Sequence, residues 1–468
     1  MKASKTSSGW LLVCWFVTAT LPCSAQPSSP KYGQIRVPVF RTKDDSIQLL
    51  SVQKKIDDEL GQKKFSQRKV DSLMQLQNEI YQQSITYKMI YRPNRDYVLT
   101  DSLTGLSDFS GITKVCVYYK KEVPEIVWKC KDLEALELVN TQVTVLPKEL
   151  NTLPLLKTID IYRNYSEKPL RLFKNGTVTS LTILNESPIG LPRSFKKYKA
   201  LTKLDLAENG LTKFPNGARR NKKLAELGLQ RNALTLRGKI KLHPYLERLA
   251  LHGNLIEVVP SSIRKFKNLK KLNLNANKIQ TVHHALGRLS KLEQLSFYGN
   301  RLTSIPSGAY QLRALKEIDL FHNQIEKLDP EFSNWKNLTT LYLSHNKVVS
   351  LPDNIDTLRA LEGLYVWDNR LGELPESVGN LEKLKYLRAN NNYLKKIPVS
   401  LVALKQLEEL DLSHNYMSEI PEAVFHYPNL KIIALINNPW NEKTWAMIPR
   451  KAEELKLKEI FVHVSEQE

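Results

Sequence analysis

LTTLYLSHNKVVSLPDNIDTLRA (residues 338–360) is followed without a gap by LEGLYVWDNRLGELPESVGNLEK (361–383). Set one above the other, the two stretches agree in their leucines, in one asparagine and in a Leu-Pro pair. LKYLRANNNYLKKIPVSLVALKQ (384–406) and LEELDLSHNYMSEIPEAVFHYPN (407–429) continue in the same frame. Earlier copies begin at Leu133, Leu156, Val178, Leu201, Leu224, Leu246, Leu269, Leu292 and Leu315, and a truncated one begins at Leu430. A degenerate first copy starts near Ile112, where ITKVCVYY alternates and VPEIVWKC echoes the tail LPxxIxxL. A period of about 23 residues marks a repeat architecture. The length of 468 residues therefore does not count domains, because such a chain grows by stacking.

Each copy has its own physics. In LxxLxL the second and third leucines alternate with polar residues, the period of a strand with one buried face. The copy then turns at an asparagine: Asn209, Asn232, Asn254, Asn277, Asn300, Asn323, Asn346, Asn369, Asn392 and Asn415. A turn packed between stacked coils has backbone groups cut off from water, and an amide side chain can both donate to and accept from them. The tail reads as a short helical or irregular return, and its proline (Pro306, Pro352, Pro375, Pro398, Pro421) sits where no ladder N–H is needed. No copy can bury its leucines alone, so the coils must share a core. Strands about 4.8 Å apart, opposed by thicker return segments, force the stack to curve.

The pattern LxxLxLxxNxLxxLPxxLxxLxx resembles the leucine-rich repeat family over about residues 110–440, and is similar to the repeats of Ras-pathway scaffolds and plant Ras-group-related proteins. The resemblance implies an α/β solenoid: a curved horseshoe with a parallel β-sheet on its concave face and short helical or irregular segments on its convex face. It also implies a role in binding. Some copies depart from the pattern. The copy at Leu156 runs into YSEKPLRLFKNG, the copy at Val178 carries Glu186 at the asparagine position, and the copy at Leu224 is one residue short. Curvature should be irregular between about 156 and 245.

Outside the array, residues 1–25 read as a secretory signal: Lys2 and Lys5, then WLLVCWFVTATL, then Cys23-Ser24-Ala25 with Gln26 as the mature start. Lipid attachment at Cys23 and an uncleaved anchor are the alternatives. The apolar run is too short to span a bilayer, which takes about 20 residues, and no other segment is apolar enough. Residues 26–110 form an N-terminal extended and helical segment: QPSSPKYGQIRVPVFR is extended, and Leu49, Val52, Ile56 and Leu60, then Val70, Leu73, Ile80 and Tyr87, fall at helical spacing before Pro93. That segment serves either as a cap or, through 46–90, in self-association. The solenoid proper takes 111–437. LINNPWNEKTWAMIPRKAEELKLKEIF opens a C-terminal cap over 438–468.

The formal charge is +21, and 193–248 holds fifteen Lys and Arg against four acids. Such a field attracts polyanions; in an exported protein these would be acidic glycans, envelope polymers or lipid head groups rather than nucleic acid. The bland alternative is a solvated outer face. Beyond the signal, an exported protein could pair Cys116 with Cys130; against this, the repeat register points Cys116 outward and Cys130 inward, whereas a disulfide needs close Cα atoms, and the sequence leaves the bridge open. No GxSxG, HExxH, phosphate-cradling glycine loop or CxxC pair occurs, so no catalytic residue, no cofactor and no metal is expected. His322 and His345 occupy one position of successive copies, but two imidazoles without a third ligand make a weak zinc site. The acids fall on exposed positions with no reason for strongly shifted pKa values.

The residues between the strand leucines line the inner sheet. In the first half they are small or charged: Asp205, Glu208, Gly228, Gln230, Arg231, Ala250, His252, Asn273 and Asn275. From Leu292 onward they become Tyr298, Phe321, Tyr342, Tyr365 and Trp367, accompanied by His322, His345, Asp368, Tyr386 and Arg388. Grouped aromatics on an open sheet are a binding signature, against the alternative that the rings simply stack and stiffen it. The expectation is an exported, non-catalytic scaffold holding a protein or peptide in this bay. Binding of an anionic glycan or envelope polymer through 193–248 is the alternative. The location is secreted, periplasmic or cell-surface.

Overall fold

The computed structural model describes residues 93–463 apart from 238, 239, 242 and 459, the strands 34–40 and 85–91, and the single helical positions 51, 52, 54–56, 58, 73 and 76. The signal segment and Cys23 lie outside the described residues, as does most of the helical reading of 46–80. Val52 and Ile56, one helical turn apart, are buried. Tyr87 is not helical: it lies in the strand Ile85–Tyr91, antiparallel to Gln34–Phe40 with Pro38 opposite it. ITYKMIY is rich in β-branched and aromatic residues, so strand composition outweighs the helical spacing there.

The repeats build one parallel sheet of 17 strands from Val98–Leu99 to Phe461–His463. Each strand pairs with the next, and the first and last pair on one side only, so the ribbon is open at both ends. The register repeats the sequence frame. Leu204, Leu227, Leu249, Leu272, Leu295, Ile318, Leu341, Leu364, Leu387, Leu410 and Ile433 stand opposite one another and are all buried. Most return segments are single 3-10 turns, while those of the copies at Leu156, Val178 and Leu224 have none among the described residues. Glu376–Asn380, for example, starts after Pro375 and buries Val378. The result is a leucine-rich repeat solenoid, a curved horseshoe with the sheet inside and the turns outside.

The asparagines form the ladder that the frame demands. Asn369 Nδ2 donates to the Leu343 carbonyl of the preceding coil and to the Val366 carbonyl of its own, both at 3.0 Å. Its Oδ1 accepts from Val348 N–H at 2.9 Å. Asn254, Asn277, Asn300, Asn323, Asn346, Asn392 and Asn415 repeat this arrangement. So does Asn438, in the truncated copy.

The early coils differ. From Lys114–Tyr118 to Ser180–Leu184 the strands have five residues, and from Lys203–Asp205 onward three. In the copy at Val178, Glu186 does not enter the buried asparagine slot; it forms an ion pair with Arg163 at 2.7 Å. Asn185, one place earlier, substitutes by accepting from Asn164 N–H at 3.0 Å. The substitution is incomplete, since Asn185 Nδ2 and Asn164 Oδ1 are buried without a partner.

Cys116 and Cys130 are both free and buried. Cys116 points out of the leucine core as the register requires, onto the inner face of the sheet, but it is not exposed there: it packs in a second small cluster with Val139, Tyr162, Leu184 and Ala207, flanked by Tyr97 and Tyr118. At the other end, the helix Glu442–Lys456 starts at Asn441, whose side chain accepts from Thr444 N–H at 2.9 Å. Ile448 and Leu455 of this helix join the apolar core.

Candidate functional site

Strand register turns each position of the frame into a column running along the inner sheet. One column reads Asp205, Gly228, Ala250, Asn273, Ser296, Asp319, Tyr342, Tyr365, Arg388, Asp411. Two residues further on, the next reads Ala207, Gln230, His252, Asn275, Tyr298, Phe321, Ser344, Trp367, Asn390. Five of the aromatic residues expected from the sequence therefore fall in two adjacent columns, while Tyr386 stands outside them, opposite Gly363.

In the first column Tyr342 and Tyr365 stack at 4.8 Å, the spacing of the strands that carry them. The Arg388 guanidinium lies 5.9 Å above the Tyr365 ring and pairs with Glu409. In the second column Tyr298 stacks on Phe321 at 5.3 Å. Phe321 and Trp367 are two coils apart, yet their centroids lie at 5.4 Å. The small Ser344 between them makes this possible: the two rings lean over it and leave it buried. His345 fills the flank, edge-on to Trp367 at 4.1 Å and to Phe321 at 4.7 Å.

One expectation needs correction. Phe321 is only 6% exposed, roofed by Tyr298, His345 and Trp367, so it serves the packing of the cluster and offers little surface. Tyr298, Tyr342, Tyr365, Trp367 and Tyr386 are half-buried, His345 likewise, and His322, Asp368 and Arg388 are exposed.

The histidines have a backbone reason. His322, His345, Asp368, Asn391 and His414 all have φ of 52–54°, in the left-handed region, where His, Asp and Asn are the non-glycine residues best tolerated. The His322 and His345 rings stack face to face at 4.2 Å with 12° between planes, so their nitrogens lie side by side and do not converge on one point. His345 Nδ1 is paired with Asp368. Burial lowers the pKa of both imidazoles; His345 beside it adds to the effect at His322, and Asp368 opposes it at His345. Among the described residues no three His, Cys, Asp or Glu are placed to share a metal ion.

Two polar features escaped the sequence reading. The first is a basin of about 380 Å³ on the inner sheet, from Lys203 to Asp319, ending where the aromatics begin. Gly228 and Ala250 make it hollow. A Cβ at Gly228 would stand 2.6 Å from Asp205 Oδ1, so glycine is required for the Asp205 carboxylate to accept from Gln230 Nε2 across the gap at 3.2 Å. Asp319 lies at the far wall. It accepts from Ser296 Oγ at 2.8 Å and from Phe321 N–H at 3.1 Å, and burial pushes its pKa up to about 6.

The second feature is Glu137, 2% exposed, which accepts from Asn94 N–H at 3.1 Å. Burial raises its pKa to about 7, and raises the Cys116 thiol and the Tyr97 phenol too. The expectation that no acid has a reason for a shifted pKa fails at these two sites. The column Cys116, Glu137, Asp160 was visible in the frame; that residues 94–97 fold over it was not.

By sequence, residues 330–445 match the family described as leucine-rich repeat region, and 244–302 and 298–348 match leucine rich repeat. No curated protein matches the chain. Among solved structures, a leucine-rich repeat protein of Leptospira interrogans superimposes with a TM-score of 0.60 at 25% identity, covering 77% of this chain and 97% of the other. A plant peptide hormone receptor, RGFR1, solved in complex with RGF2, gives 0.51 at 25% identity, covering 69% and 54%. A TDR receptor gives 0.53 at 22% identity, covering 70% and 59%. Among the described residues no helix is long and apolar enough to cross a membrane.

Proposed function

The chain is a leucine-rich repeat protein, and from that premise we propose that it is an exported, non-catalytic recognition scaffold whose inner sheet holds a protein or peptide. The bay runs through the coils from Leu292 to Gln406. The observation that carries this reading is the pair of adjacent columns of half-buried rings, Tyr342 stacked on Tyr365 and Tyr298 joined to Trp367 through Phe321, with exposed Arg388 and Asp368 beside them. Tyr, Trp and Arg are the residues that dominate interface energetics, because each buries a large rigid area while keeping a polar handle. The similar plant receptor RGFR1, seen with RGF2, makes a peptide the natural class of ligand to test.

Displayed peptide libraries selected on the whole protein provide the test. Peptides enriched on the wild type should lose on the order of 30-fold or more in affinity against the double variant Trp367→Ala, Tyr342→Ala, given about 2 kcal/mol for a buried aromatic anchor. Thermal melting of the double variant checks that the coils remain assembled. Equal affinity for both proteins would exclude the bay.

A further inference from the structure

From Ser187 to Leu292 the chain carries 23 Lys and Arg and five acids: Asp205, Glu208, Glu226, Glu247 and Glu257. The fold separates them. Asp205 faces the inner basin. Glu208 pairs with Arg231, Glu226 with Arg248 and Lys203, Glu247 with Lys270, and Glu257 with Arg237. Each acid is thus occupied in the basin or by a cation of a neighbouring coil, and none lies in the turns of the outer face between Arg193 and Lys223.

The cations left over are ordered. Phe195, Ala218, Ile240 and Ile263 are the buried anchors of four successive return turns. The residue after each anchor is Lys196, Arg219, Lys241 and Arg264. The same place on four coils therefore carries a cation, with intervals of 23, 22 and 23 residues. Beside this column run Lys197, Arg220 and Lys265, and then Lys199, Lys222 and Lys267. Lys197 and Lys265 donate to the carbonyls of Leu172 and Ile240, which leaves their charge uncompensated. Among the described residues none of these ten cations is in an ion pair.

We propose that this outer face is a second binding site, independent of the aromatic bay, and that its ligand is a linear acidic polysaccharide lying along the solenoid axis across the ladder. Coils spaced by about 4.8 Å at the sheet, and more widely at the turns, present charge in a line, as a chain of carboxylates or sulfates does. A planar bilayer meets a convex face along a narrow strip, whereas a flexible polymer follows the curve. Single-stranded nucleic acid binds on rows of stacking rings, and among the described residues the one large ring exposed on this face is Tyr245.

The test uses the full chain and five probes: dextran sulfate, polygalacturonate, neutral dextran, oligo-dT and phosphatidylglycerol vesicles. Two variants with the same change of net charge are compared. The ladder variant carries Lys196→Glu, Arg219→Glu, Lys241→Glu and Arg264→Glu. The control carries Lys336→Glu, Lys383→Glu, Lys395→Glu and Lys396→Glu, exposed positions of the other half. The wild type and the control should bind both acidic polysaccharides and not neutral dextran. The ladder variant should lose about 100-fold at moderate salt, with a log–log salt slope shallower by about 3, from roughly 0.7 per lost contact. Equal binding by ladder and control variants would overturn the site. Tighter binding of oligo-dT or vesicles than of either polysaccharide would overturn the ligand class.

Discussion

Replacing Asn369 by alanine tests the physics on which the whole stack depends. The side chain is 7% exposed and joins two coils: Nδ2 to Leu343 O and Val366 O, Oδ1 to Val348 N–H. Alanine removes these bonds and orphans Val348 N–H, while the Leu343 and Val366 carbonyls each keep one donor, Asn346 Nδ2 at 2.9 Å and Asn392 Nδ2 at 3.0 Å. A buried backbone group left without a partner costs about 1–3 kcal/mol, with an N–H at the upper end and a carbonyl lower. One orphaned N–H, with two carbonyls reduced to a single donor each, gives roughly 2–3 kcal/mol, before any water entering the space recovers part of it. Against a typical stability of about 5–15 kcal/mol, that is a large fraction. Because coils contact only their neighbours, the loss should weaken the interface between the coils at Leu338 and Leu361 first. Urea unfolding followed by tryptophan fluorescence reads it, with Lys347→Ala as a neighbouring control. Broadening of the transition would signal that the array is separating at that joint. A loss under about 1 kcal/mol with an unchanged transition would refute the claim that the asparagine satisfies these groups.

His243 packs against Phe214 and Phe266, and burial, with Arg219 nearby, lowers its pKa to about 4 from 6.5. The folded state favours the neutral ring, so stability is full above 6.5 and about 3 kcal/mol is lost as pH falls towards 4; His243→Phe should flatten the melting temperature between pH 7 and pH 4.5, and an unchanged acid slope would contradict the assignment. Glu137 works in the opposite direction. Its pKa is raised from 4.5 to about 7, so folding favours the protonated acid, and stability is lost as pH rises through that window. Glu137→Gln should therefore melt higher than wild type at pH 8, by about 3 kcal/mol in stability, while matching it at pH 4; a lower melt at pH 8 would show that the carboxylate is needed charged.

The repeat, the sheet face and the asparagine ladder were legible because each is enforced once per coil. A frame that recurs with leucines at fixed places leaves no second way to bury them. The aromatic columns were legible for the same reason: register carries Tyr342 beside Tyr365 without further information. What the frame could not show was contact between side chains two coils apart. Phe321 reads as an outward residue, and only the geometry around Ser344 reveals that Trp367 covers it. Glu137 failed differently, since its cover comes from residues 94–97, outside the periodic part. The strand Ile85–Tyr91 failed because a spacing match over few residues yields to strand composition.

The ion pairs show how the same columns arrange surface charge. Lys270–Glu247, Lys316–Glu293, Lys385–Glu362 and Lys431–Glu408 are each 23 residues apart and link adjacent coils. Exposed pairs of this kind contribute about 0–1 kcal/mol each, so they do little for stability. Their larger effect is neutralisation, because a cation held by an acid of the next coil is removed from the long-range field. Pairing of this sort runs along the sheet edge for most of the solenoid, while the turns after Phe195, Ala218, Ile240 and Ile263 carry cations and no acid. The net charge of +21 is therefore concentrated on one part of the outer face. The aromatic bay occupies the inner face of later coils. The two proposed sites share no side chain, and substitutions at well-separated places act additively, so the expected outcome is that a ligand at one face leaves the affinity at the other unchanged.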